Sequence, residues 1–331
     1  MLPVFTESQI RATVSPADAV RVIREAFRAD GLGRTTVPDV INLAIPGTEG
    51  EFHIKTAHVA GIPHIAVKIA SGFYDNPARG LPTGTGMMAL FDAATGMPVA
   101  LLLDNGYLTD VRTGAAGAVA ADVLARARIE TVGVVGSGVQ ARHQVRCLRE
   151  VRPFAHLVAW SIDPDGLKTY CEDMRASLGI DAVAAAGPEA VTRAADVLIT
   201  ATPSRRAIVM ADWVRPGTHV TALGSDGPGK QELEARLVAA ADLLVVDRMS
   251  QCRRLGELQH ALAAGLMRED DVHAELGEIV AGTKPGRTRD SDITVADLTG
   301  VGFQDTAIAS LAYERLAAAG SFRPVSANLT K

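Results

Sequence analysis

The chain has 331 residues, of which 47% are hydrophobic and 21% charged, and its formal net charge at pH 7 is −5. This length exceeds one typical hydrophobic core and predicts a globular protein of two domains. The acidic balance, without any Lys/Arg block, argues against nucleic acid as a partner. No apolar stretch approaches the ~20 residues that cross a bilayer. The N-terminus does not resemble a signal peptide, so we expect no membrane partner and a cytoplasmic location.

The N-terminal third predicts a helix followed by a mostly antiparallel sheet. Residues 6–31 have helical periodicity, with Ser15 as N-cap and Pro16 at the first helical position. Strand-like segments separated by Gly, Pro and Asn-Pro follow at 37–45, 52–59, 65–70, 87–91 and 99–103. Residues 92–96 predict a hairpin turn between the last two. An Ala-rich helix is predicted over 106–126.

The most informative stretch is residues 131–144. Residues 131–135 are an apolar, β-branched run, typical of a buried strand in a parallel sheet. Residues 136–141 then have the G-x-G-x-x-A pattern of a dinucleotide-binding turn. In that pattern Gly136 allows the tight turn, Gly138 lets the backbone approach a pyrophosphate, and Ala141 lets the next helix pack on the strand. The alternative interpretation is an ordinary strand-to-helix turn.

Strands and helices alternate from residue 157 onward. Strands are predicted at 157–160, 182–185, 197–200, 219–223 and 243–246, with helices at 164–178, from 188, and at 232–239. This alternation predicts a doubly wound parallel sheet whose carboxyl edge, after Thr200 and Ala222, would bind ligands. Residues 249–282 are predicted to be helical, a closing helix ends near 319, and we expect the tail 321–331 to be loose.

The predicted fold class is therefore α/β, with two domains. A Rossmann doubly wound parallel sheet, residues 116–299, would be inserted into a second, α+β domain. That second domain would comprise residues 1–115 and 300–331, because the chain leaves it near 115 and returns near 300.

Asp163 bears on the choice of cofactor. It lies about 25 residues beyond the glycines, near the offset of the acid that binds the adenosine ribose in dinucleotide folds. A carboxylate there repels a 2′-phosphate, and no Arg follows directly, so NAD is favoured over NADP. Asp163 followed by Pro164 also fits a simple helix N-cap, and the two roles are compatible.

Three further side chains could carry chemistry. Lys68 interrupts an apolar strand, and is either a solvated residue or a partly buried amine that binds a carboxylate or donates a proton. Arg112 lies near a helix start, where a cation opposes the dipole, and either binds an anionic ligand or pairs with Asp104 or Asp110. Asp226 follows a strand end among glycines, and is either a loop cap or an acid/base group facing a nicotinamide.

The cysteines and histidines give no indication of a metal site. Cys147, Cys171 and Cys252 are widely separated and form no Cys-x-x-Cys pair, which fits a reducing compartment. The eight histidines show no ligand spacing, and none is assigned to a metal.

Several motifs together resemble the ornithine cyclodeaminase/mu-crystallin family. They are Lys68 and the segments 108–113, 136–141, 224–233 and 300–305, which occur in the family's order and spacing. The resemblance covers residues about 5 to 319. Within the family, residues 71–77 and 104–113 look most like the cyclodeaminase-like proteins of ectoine utilisation.

The resemblance implies a cofactor, a substrate class and a partner. It implies a small amino-acid or imino-acid substrate, with Lys68 and Arg112 holding its α-carboxylate and Asp226 handling protons. It also implies a second domain for substrate binding and dimerisation, whose sheet pairs across a homodimer. The implied nicotinamide-binding residues are Thr83, Arg112, Thr113, Gly136, Gly138, Val139, Gln140, Asp163, Thr202, Leu223, Gly224, Ser225, Lys230, Val301 and Gly302. Val301 is also expected to border the substrate.

One position departs from the family pattern. Many members have an Arg near position 42 that also grips the carboxylate, whereas this chain has Asn42. Asn42 can donate a hydrogen bond to a substrate but cannot form a bidentate ionic pair, which weakens the case for ornithine itself. Lys55 and Arg79 are the nearby cations that could compensate.

Three functions are carried forward. A cyclodeaminase-like lyase of diamino acid or ectoine catabolism, which regenerates its NAD, ranks first. An imino-acid reductase or amino-acid dehydrogenase, which consumes NAD(P)(H), ranks second, since the same hydride exchange at the α-carbon serves both. The third, of another class, is a mu-crystallin-like protein that binds a small ligand without turnover.

Overall fold

The chain divides into two compact units. The computed structural model describes residues 2–320 and the backbone of Arg323–Val325. We call Met1–Arg112 with Val301–Lys331 the split unit, and Thr113–Gly300 the inserted unit. The sequence-based boundaries, near 115 and 300, lie close to these. The roles that the sequence suggested for the two units stay predictions at this point.

The split unit takes most of its elements from the N-terminal third. They are β1 (Leu2–Thr6), α1 (Glu7–Arg11), α2 (Pro16–Gly31), β2 (Thr35–Thr36), β3 (Ile41–Ile45), β4 (Gly50–Val59), β5 (His64–Phe73), β6 (Gly84–Asp92) and β7 (Pro98–Leu103). Helix α3 (Tyr107–Leu124) begins in this unit and ends in the inserted unit. Helix α2 begins as predicted, since the Ser15 side chain accepts a hydrogen bond from the Asp18 amide.

The inserted unit alternates strands with helices. Its elements are β8 (Thr131–Val135), α4 (Val139–Val151), β9 (His156–Trp160), α5 (Pro164–Leu178), β10 (Asp181–Ala184), α6 (Pro188–Ala194), β11 (Val197–Thr200), β12 (Arg205–Val209), β13 (His219–Ala222), β14 (Gln231–Leu233), α7 (Ala235–Ala240), β15 (Leu243–Val246), α8 (Met249–Leu255), α9 (Leu258–Ala263), β16 (Ala274–Glu275), α10 (Leu276–Ala281) and β17 (Thr294–Asp297). The chain then returns to the split unit as α11 (Gly302–Ala318) and β18 (Arg323–Val325).

The split unit is one mostly antiparallel sheet with a helix on it. The strand order is β18-β1-β7-β6-β5-β4-β2, with β3 also on β4, and only β1 and β7 pair in parallel. Helix α11 lies on β4 and β5. The Thr306 hydroxyl fixes this contact by donating to the Ala57 carbonyl (2.8 Å) and accepting from the Ala66 amide (3.2 Å). The face that carries these residues also carries Lys55, Lys68 and Met88 in one cross-strand row.

The inserted unit confirms the predicted Rossmann architecture. Eight parallel strands form its main sheet in the order β10-β9-β8-β11-β13-β17-β15-β16. The chain runs outward from β8 to β10 and then crosses back to β11, so the topological switch lies between β8 and β11. The register brings their last residues, Val135 and Thr200, side by side, with Ala222 of β13 next to Thr200. The fold class is thus an α/β Rossmann sheet inserted in an α+β unit.

Several element predictions are wrong. Residues 6–31 are not one helix, because Thr6 ends β1 and residues 12–15 separate α1 from α2. Residues 37–40, which include Pro38, lie outside any strand. Glu232 lies in β14, which pairs with β12, and not in a helix. Strand β17, placed between β13 and β15, was missed, because only Val295 and Ala296 of its four residues are apolar. Residues 249–282 contain β16 between helices.

The predicted loose tail falls mostly outside the described residues. Residues 321, 322 and 326–331 lie outside the described part of the chain. Arg323–Val325 form β18, which pairs with β1 and was not predicted. In the described part of the chain, no helix has both the length and the apolar character that a membrane crossing requires.

Candidate active site

The glycine turn of the inserted unit fits a dinucleotide. Gly136 follows β8 with φ +115°, and a Cβ there would lie 2.7 Å from the Ala201 carbonyl oxygen, so only glycine suits this position. Gly138 is the N-cap of α4, where no side chain caps the helix, and a Cβ there would meet nothing within 4 Å. The first amides of α4 therefore border open space. A pyrophosphate held at that point would receive N–H hydrogen bonds and the positive end of the helix dipole.

Arg142, which the sequence did not single out, stabilises this turn. Its guanidinium donates to the carbonyls of Ser137 and Gly138 and forms an ion pair with Asp173 at 3.0 Å. A cation in the first turn of a helix opposes the dipole, and that unusual placement was the available signal. Val139 and Gln140 lie in the same first turn.

Asp163 acts as a helix cap in the structure. Its Oδ1 accepts a hydrogen bond from the Gly166 amide at 3.0 Å, at the start of α5. This confirms the capping interpretation, while its role toward an adenosine ribose stays a prediction.

The loops after β11 and β13 carry the next group of predicted residues. Thr202 follows β11, and Leu223, Gly224 and Ser225 follow β13, at neighbouring positions of the carboxyl edge. The buried carboxylate of Glu232 joins the two loops, because it accepts hydrogen bonds from the amides of Thr202 (2.6 Å) and Gly224 (2.8 Å). The sequence analysis did not select Glu232, which it placed in a helix.

Asp226 is held by a buried lysine. Its Oδ1 lies 2.8 Å from Nζ of Lys230, which is buried, while the Asp226 side chain keeps 43% of its surface exposed. The Ser225 hydroxyl donates to the Lys230 carbonyl at 2.7 Å and closes the loop between them. Asp226 is therefore an oriented carboxylate that solvent or a ligand can reach. Lys230, which the resemblance assigns to cofactor binding, contacts Asp226 in the structure, and its role toward a cofactor stays a prediction.

The split unit contains a buried cluster of charges. Lys68 is 2% exposed, so the solvated interpretation is wrong, and its Nζ lies 3.0 Å from Oδ2 of Asp305. Arg112 donates from Nε to Oδ1 of Asp305 (3.0 Å) and from its terminal nitrogen to Oε1 of Gln304 (2.9 Å). Its partner is thus Asp305 and not Asp104 or Asp110. Asp305 and Gln304 lie in the first turn of α11 and were not among the predicted site residues.

The cations of this cluster outnumber Asp305. Lys55, 7% exposed, lies opposite Lys68 in the β4–β5 register. Burial, and then the charge of Arg112, lower the pKa of Lys68 to about 7, although Asp305 opposes this. Burial raises the pKa of the nearby Asp104 carboxyl to about 6. The resulting positive potential favours binding of an anion such as a substrate carboxylate.

Gln304 adds an unused donor to this cluster. Its buried Nε2 has no hydrogen-bond partner among the described residues, while its Oε1 is bonded to Arg112. A buried amide donor without a partner is costly unless a ligand or water satisfies it. The cluster therefore offers ammonium, guanidinium and amide donors, which together suit a carboxylate.

The contacts of the remaining predicted residues do not indicate a role in ligand binding. Asn42 is exposed, and its Oδ1 lies 2.7 Å from Nδ1 of His53. The Thr83 carbonyl accepts from the Phe73 amide, and the Thr113 carbonyl accepts from the Gln144 side chain. Val301 and Gly302 begin α11. In the described residues no group of His, Cys, Asp and Glu could hold a metal, and the three cysteines are buried without disulfides.

Fold and site together define a class of protein. The inserted unit has a doubly wound parallel sheet with an open glycine turn at its switch point, and the split unit has a buried cluster in which Lys68 and Arg112 share Asp305. This is a two-domain Rossmann protein. A model of the ornithine cyclodeaminase/mu-crystallin family matches residues 3–320, and the chain belongs to this family.

Known relatives match over nearly their full length. The uncharacterized cyclodeaminase y4tK of Sinorhizobium fredii is 45% identical over 316 residues, covering 95% of this chain and 96% of the relative. The Thermococcus litoralis Δ1-pyrroline-2-carboxylate reductase in complex with NADH and L-proline has a TM-score of 0.94 and 31% identity, covering 98% and 100% of the two chains. An archaeal alanine dehydrogenase dimer with bound NAD has a TM-score of 0.92 and 34% identity, covering 98% and 99%.

Proposed function

We propose that this protein is an NAD-dependent imino-acid reductase or amino-acid dehydrogenase, acting at the α-carbon of a small substrate. The observation that carries the proposal is the buried cluster of Lys55, Lys68 and Arg112 around Asp305. Its excess of cations provides a site for the α-carboxylate. The glycine turn after β8 provides a site for the cofactor pyrophosphate. Relatives with bound NAD or NADH support the choice of cofactor.

The residues of this chain divide the work. Lys68 and Arg112 hold the substrate carboxylate, and Gln304 Nε2 donates to it. Asp226, which is oriented by its contact with Lys230, takes up or returns the proton of the substrate nitrogen. The amides after Gly138 bind the pyrophosphate, and Thr202 with residues 223–225 border the nicotinamide. When bound, the nicotinamide supplies or accepts the hydride.

Lys55 is the reason for ranking the reductase above the cyclodeaminase. A diamino acid would bring a second ammonium to a region where three cations face one carboxylate. Lys55 adds to that charge next to Lys68 and influences the pKa of both Lys68 and Asp305. A substrate without a distal cation avoids this repulsion.

A cyclodeaminase-like lyase acting on a diamino acid, such as one from ectoine catabolism, is the second candidate. Its support is Glu51, which lies two and four residues from His53 and Lys55 along β4 and so on the same face of the sheet. The Glu51 Oε1 accepts from the Tyr74 hydroxyl at 3.0 Å and lies 3.5 Å from the His53 ring nitrogen. A distal ammonium could approach this carboxylate. The name of the Sinorhizobium fredii relative is in line with this chemistry.

The reactions differ in their use of cofactor. We expect stoichiometric oxidation of NADH with an imino acid such as Δ1-pyrroline-2-carboxylate, or with pyruvate and ammonia. Ammonia release from ornithine or 2,4-diaminobutyrate without net change in NADH would reject the reductase and establish the lyase. Tight binding of such ligands without turnover would support a mu-crystallin-like binding protein instead.

Lys55→Met sharpens the choice of substrate. Removing this cation should improve the kcat/KM for a diamino acid relative to a monoamino acid by about 10-fold, the size of one modest charge interaction. Lys168→Met makes the same replacement at an exposed lysine of the inserted unit and serves as the matched control. An unchanged ratio in Lys55→Met would show that Lys55 does not select the substrate.

We also propose a homodimer formed through the open face of the split unit's sheet. The face opposite Lys68 presents an apolar row across β3, β4, β5 and β6: Ile41, Ile54, Ile69 and Met87. Ile41 and Leu43 are 60% and 55% exposed, and Ile69 is 36% exposed. Contiguous apolar surface of this kind marks an interface, and the archaeal relative is described as a dimer. Sedimentation should give a dimer for the wild type and a monomer for Ile41→Asp with Leu43→Asp.

A further inference from the structure

We propose that Glu232 is a positioning residue for the nicotinamide half of the cofactor site. In its ionised form it fixes the loops after β11 and β13 in the geometry that receives the nicotinamide. This inference rests on the proposed function, because it takes those loops as part of a dinucleotide site. It concerns a residue that touches neither cofactor nor substrate and acts through Thr202 and Gly224.

Four hydrogen bonds converge on the Glu232 carboxylate. Oε1 accepts from the Thr202 amide (2.6 Å) and the Thr202 hydroxyl (2.8 Å). Oε2 accepts from the Thr200 hydroxyl (2.7 Å) and the Gly224 amide (2.8 Å). Oε1 therefore holds the loop after β11. Oε2 holds both the last residue of β11 and the loop after β13. A rotation of this one side chain would release both loops.

The chain is closely packed around this carboxylate. A Cβ on Gly224 would lie 2.5 Å from the Glu232 carboxyl carbon and 2.1 Å from the Thr202 carbonyl oxygen, so the approach requires glycine. Asp226 follows two residues after Gly224 on the same loop. The position of Gly224 thus sets where the loop that carries the proposed acid/base residue begins.

Glu232 is itself held from behind. The Glu257 carboxylate accepts from the amides of Glu232 (2.7 Å) and Leu233 (3.1 Å), which fixes β14. Asp297 in turn accepts from the Leu258 amide at 2.9 Å. The side chain of Glu232 therefore projects from a strand whose backbone has its own buried anchor, as a positioning residue requires.

The charge state of Glu232 determines whether the contact holds. The two amides can only donate, so a proton on the carboxyl would displace one of the four donors. Burial raises the pKa of Glu232 to about 7, against the hydrogen bonds that lower it. The charged group that interacts with it is the carboxyl of Glu257, which also interacts with Asp297, and the pair of Asp226 and Lys230 precedes it in the chain. Among the described residues no cation forms an ion pair with Glu232.

The test compares NADH with ADP-ribose, which lacks the nicotinamide. Dissociation constants of both ligands are measured by calorimetry for the wild type and Glu232→Gln. The amide of Gln turns an N–H₂ group toward N–H donors, so we expect the Kd of NADH at about pH 8 to rise about 10-fold or more, the effect of one lost hydrogen bond. The Kd of ADP-ribose, which relies on the glycine turn, should change by less than about 3-fold.

The dependence on pH provides a second readout. In the wild type, NADH affinity should fall as the pH drops below about 7, whereas ADP-ribose affinity should stay constant. Thr200→Val keeps the fold and removes one donor to the ionised carboxylate, so it should move the midpoint of that fall to higher pH. Glu234→Gln is the matched control, because it changes a carboxyl two residues further along the chain that accepts the Ala211 amide and contacts neither loop. It should leave the ratio of the two dissociation constants unchanged.

The outcomes separate this inference from the proposed function. Equal weakening of both ligands in Glu232→Gln would show a merely structural role and overturn the inference. An NADH affinity that does not depend on pH in the wild type and in Thr200→Val would also overturn the inference. This second test remains available if Glu232→Gln fails to fold. A wild type that binds neither ligand would instead overturn the proposed dinucleotide site, and the inference with it.

Discussion

The two units bury charges of opposite sign and stabilise them differently. In the split unit, Lys68 and Arg112 share Asp305, and the positive charges exceed the negative. In the inserted unit, Glu232 and Glu257 are buried among amide and hydroxyl donors. The first arrangement leaves charge for a ligand to neutralise, and the second satisfies its oxygens within the chain. The comparison distinguishes a recognition site from a scaffold within one protein.

Removing the carboxylate of the Lys68–Arg112–Asp305 cluster should have the largest effect on stability. Asp305→Ala leaves two buried cations without their carboxylate, and we expect the free energy of unfolding to fall by about 3–5 kcal/mol. Urea unfolding monitored by circular dichroism measures it. The control is Glu189→Gln, which breaks an ion pair with Arg193 whose two side chains are about half exposed, and it should change stability little. If Asp305→Ala unfolded with the wild-type free energy, Asp305 would not be the residue that stabilises the buried Lys68 and Arg112.

Asp226 differs from the buried carboxylates of its unit because solvent can reach it. Asp226→Asn keeps the size of the side chain but cannot exchange a proton, so turnover should fall by about 10²–10⁴-fold. NADH affinity should stay within a few fold of wild type. Steady-state kinetics and calorimetry give the two values. Turnover at the wild-type rate would exclude Asp226 as the acid or base.

Lys68 tests the recognition side of the comparison. Lys68→Ala should raise KM and lower kcat together, with kcat/KM reduced by about 10²-fold, because the amine both positions the carboxylate and shapes the transition state. Lys284→Ala removes a surface lysine paired with Glu278 and is the control. An increase in KM with kcat unchanged would limit Lys68 to binding.

The pH dependence of stability tests the two units together. The pKa of Lys68 in the folded protein is about 7, below its ordinary 10.5, so between these values the unfolded chain binds more protons and stability should rise with pH. The pKa of Glu232 is raised from 4.5 to about 7, so between those values the folded protein binds more protons and stability should fall as pH rises.

Two variants separate these windows. Stability is measured as the urea midpoint across both pH ranges. In Lys68→Met the midpoint should no longer rise with pH above about pH 7, and in Glu232→Gln it should no longer fall with rising pH below about pH 7. If both variants keep the wild-type profile, the two groups do not titrate in those windows.

Local patterns were enough to predict much of the fold. The run 131–135 followed by glycines located β8, the turn and α4, since strand period and turn chemistry are both local. The Ser15–Pro16 pair located the start of α2 for the same reason. Strand β17 was missed because its four residues gain their strand character from neighbours on both sides, β13 and β15.

The candidate site was predicted less completely because its partners are remote. Lys68 and Arg112 were selected, but Asp305, which is 193 residues from Arg112, was not. Nothing near Arg112 in sequence indicates which carboxylate it contacts. Glu232 was placed in a helix, because the short strand β14 forms only by pairing with β12.

The position of α11 has a consequence for biosynthesis. This helix, which supplies the counter-ion for Lys68 and Arg112, is encoded after nearly all the rest of the chain. While the nascent chain emerges from the ribosome, β5 and α3, which carry these cations, lack the Asp305 carboxylate until α11 has been synthesised. A protein truncated before Gly302 would keep two cations that are costly to bury, so early termination should yield a product that cellular proteases remove.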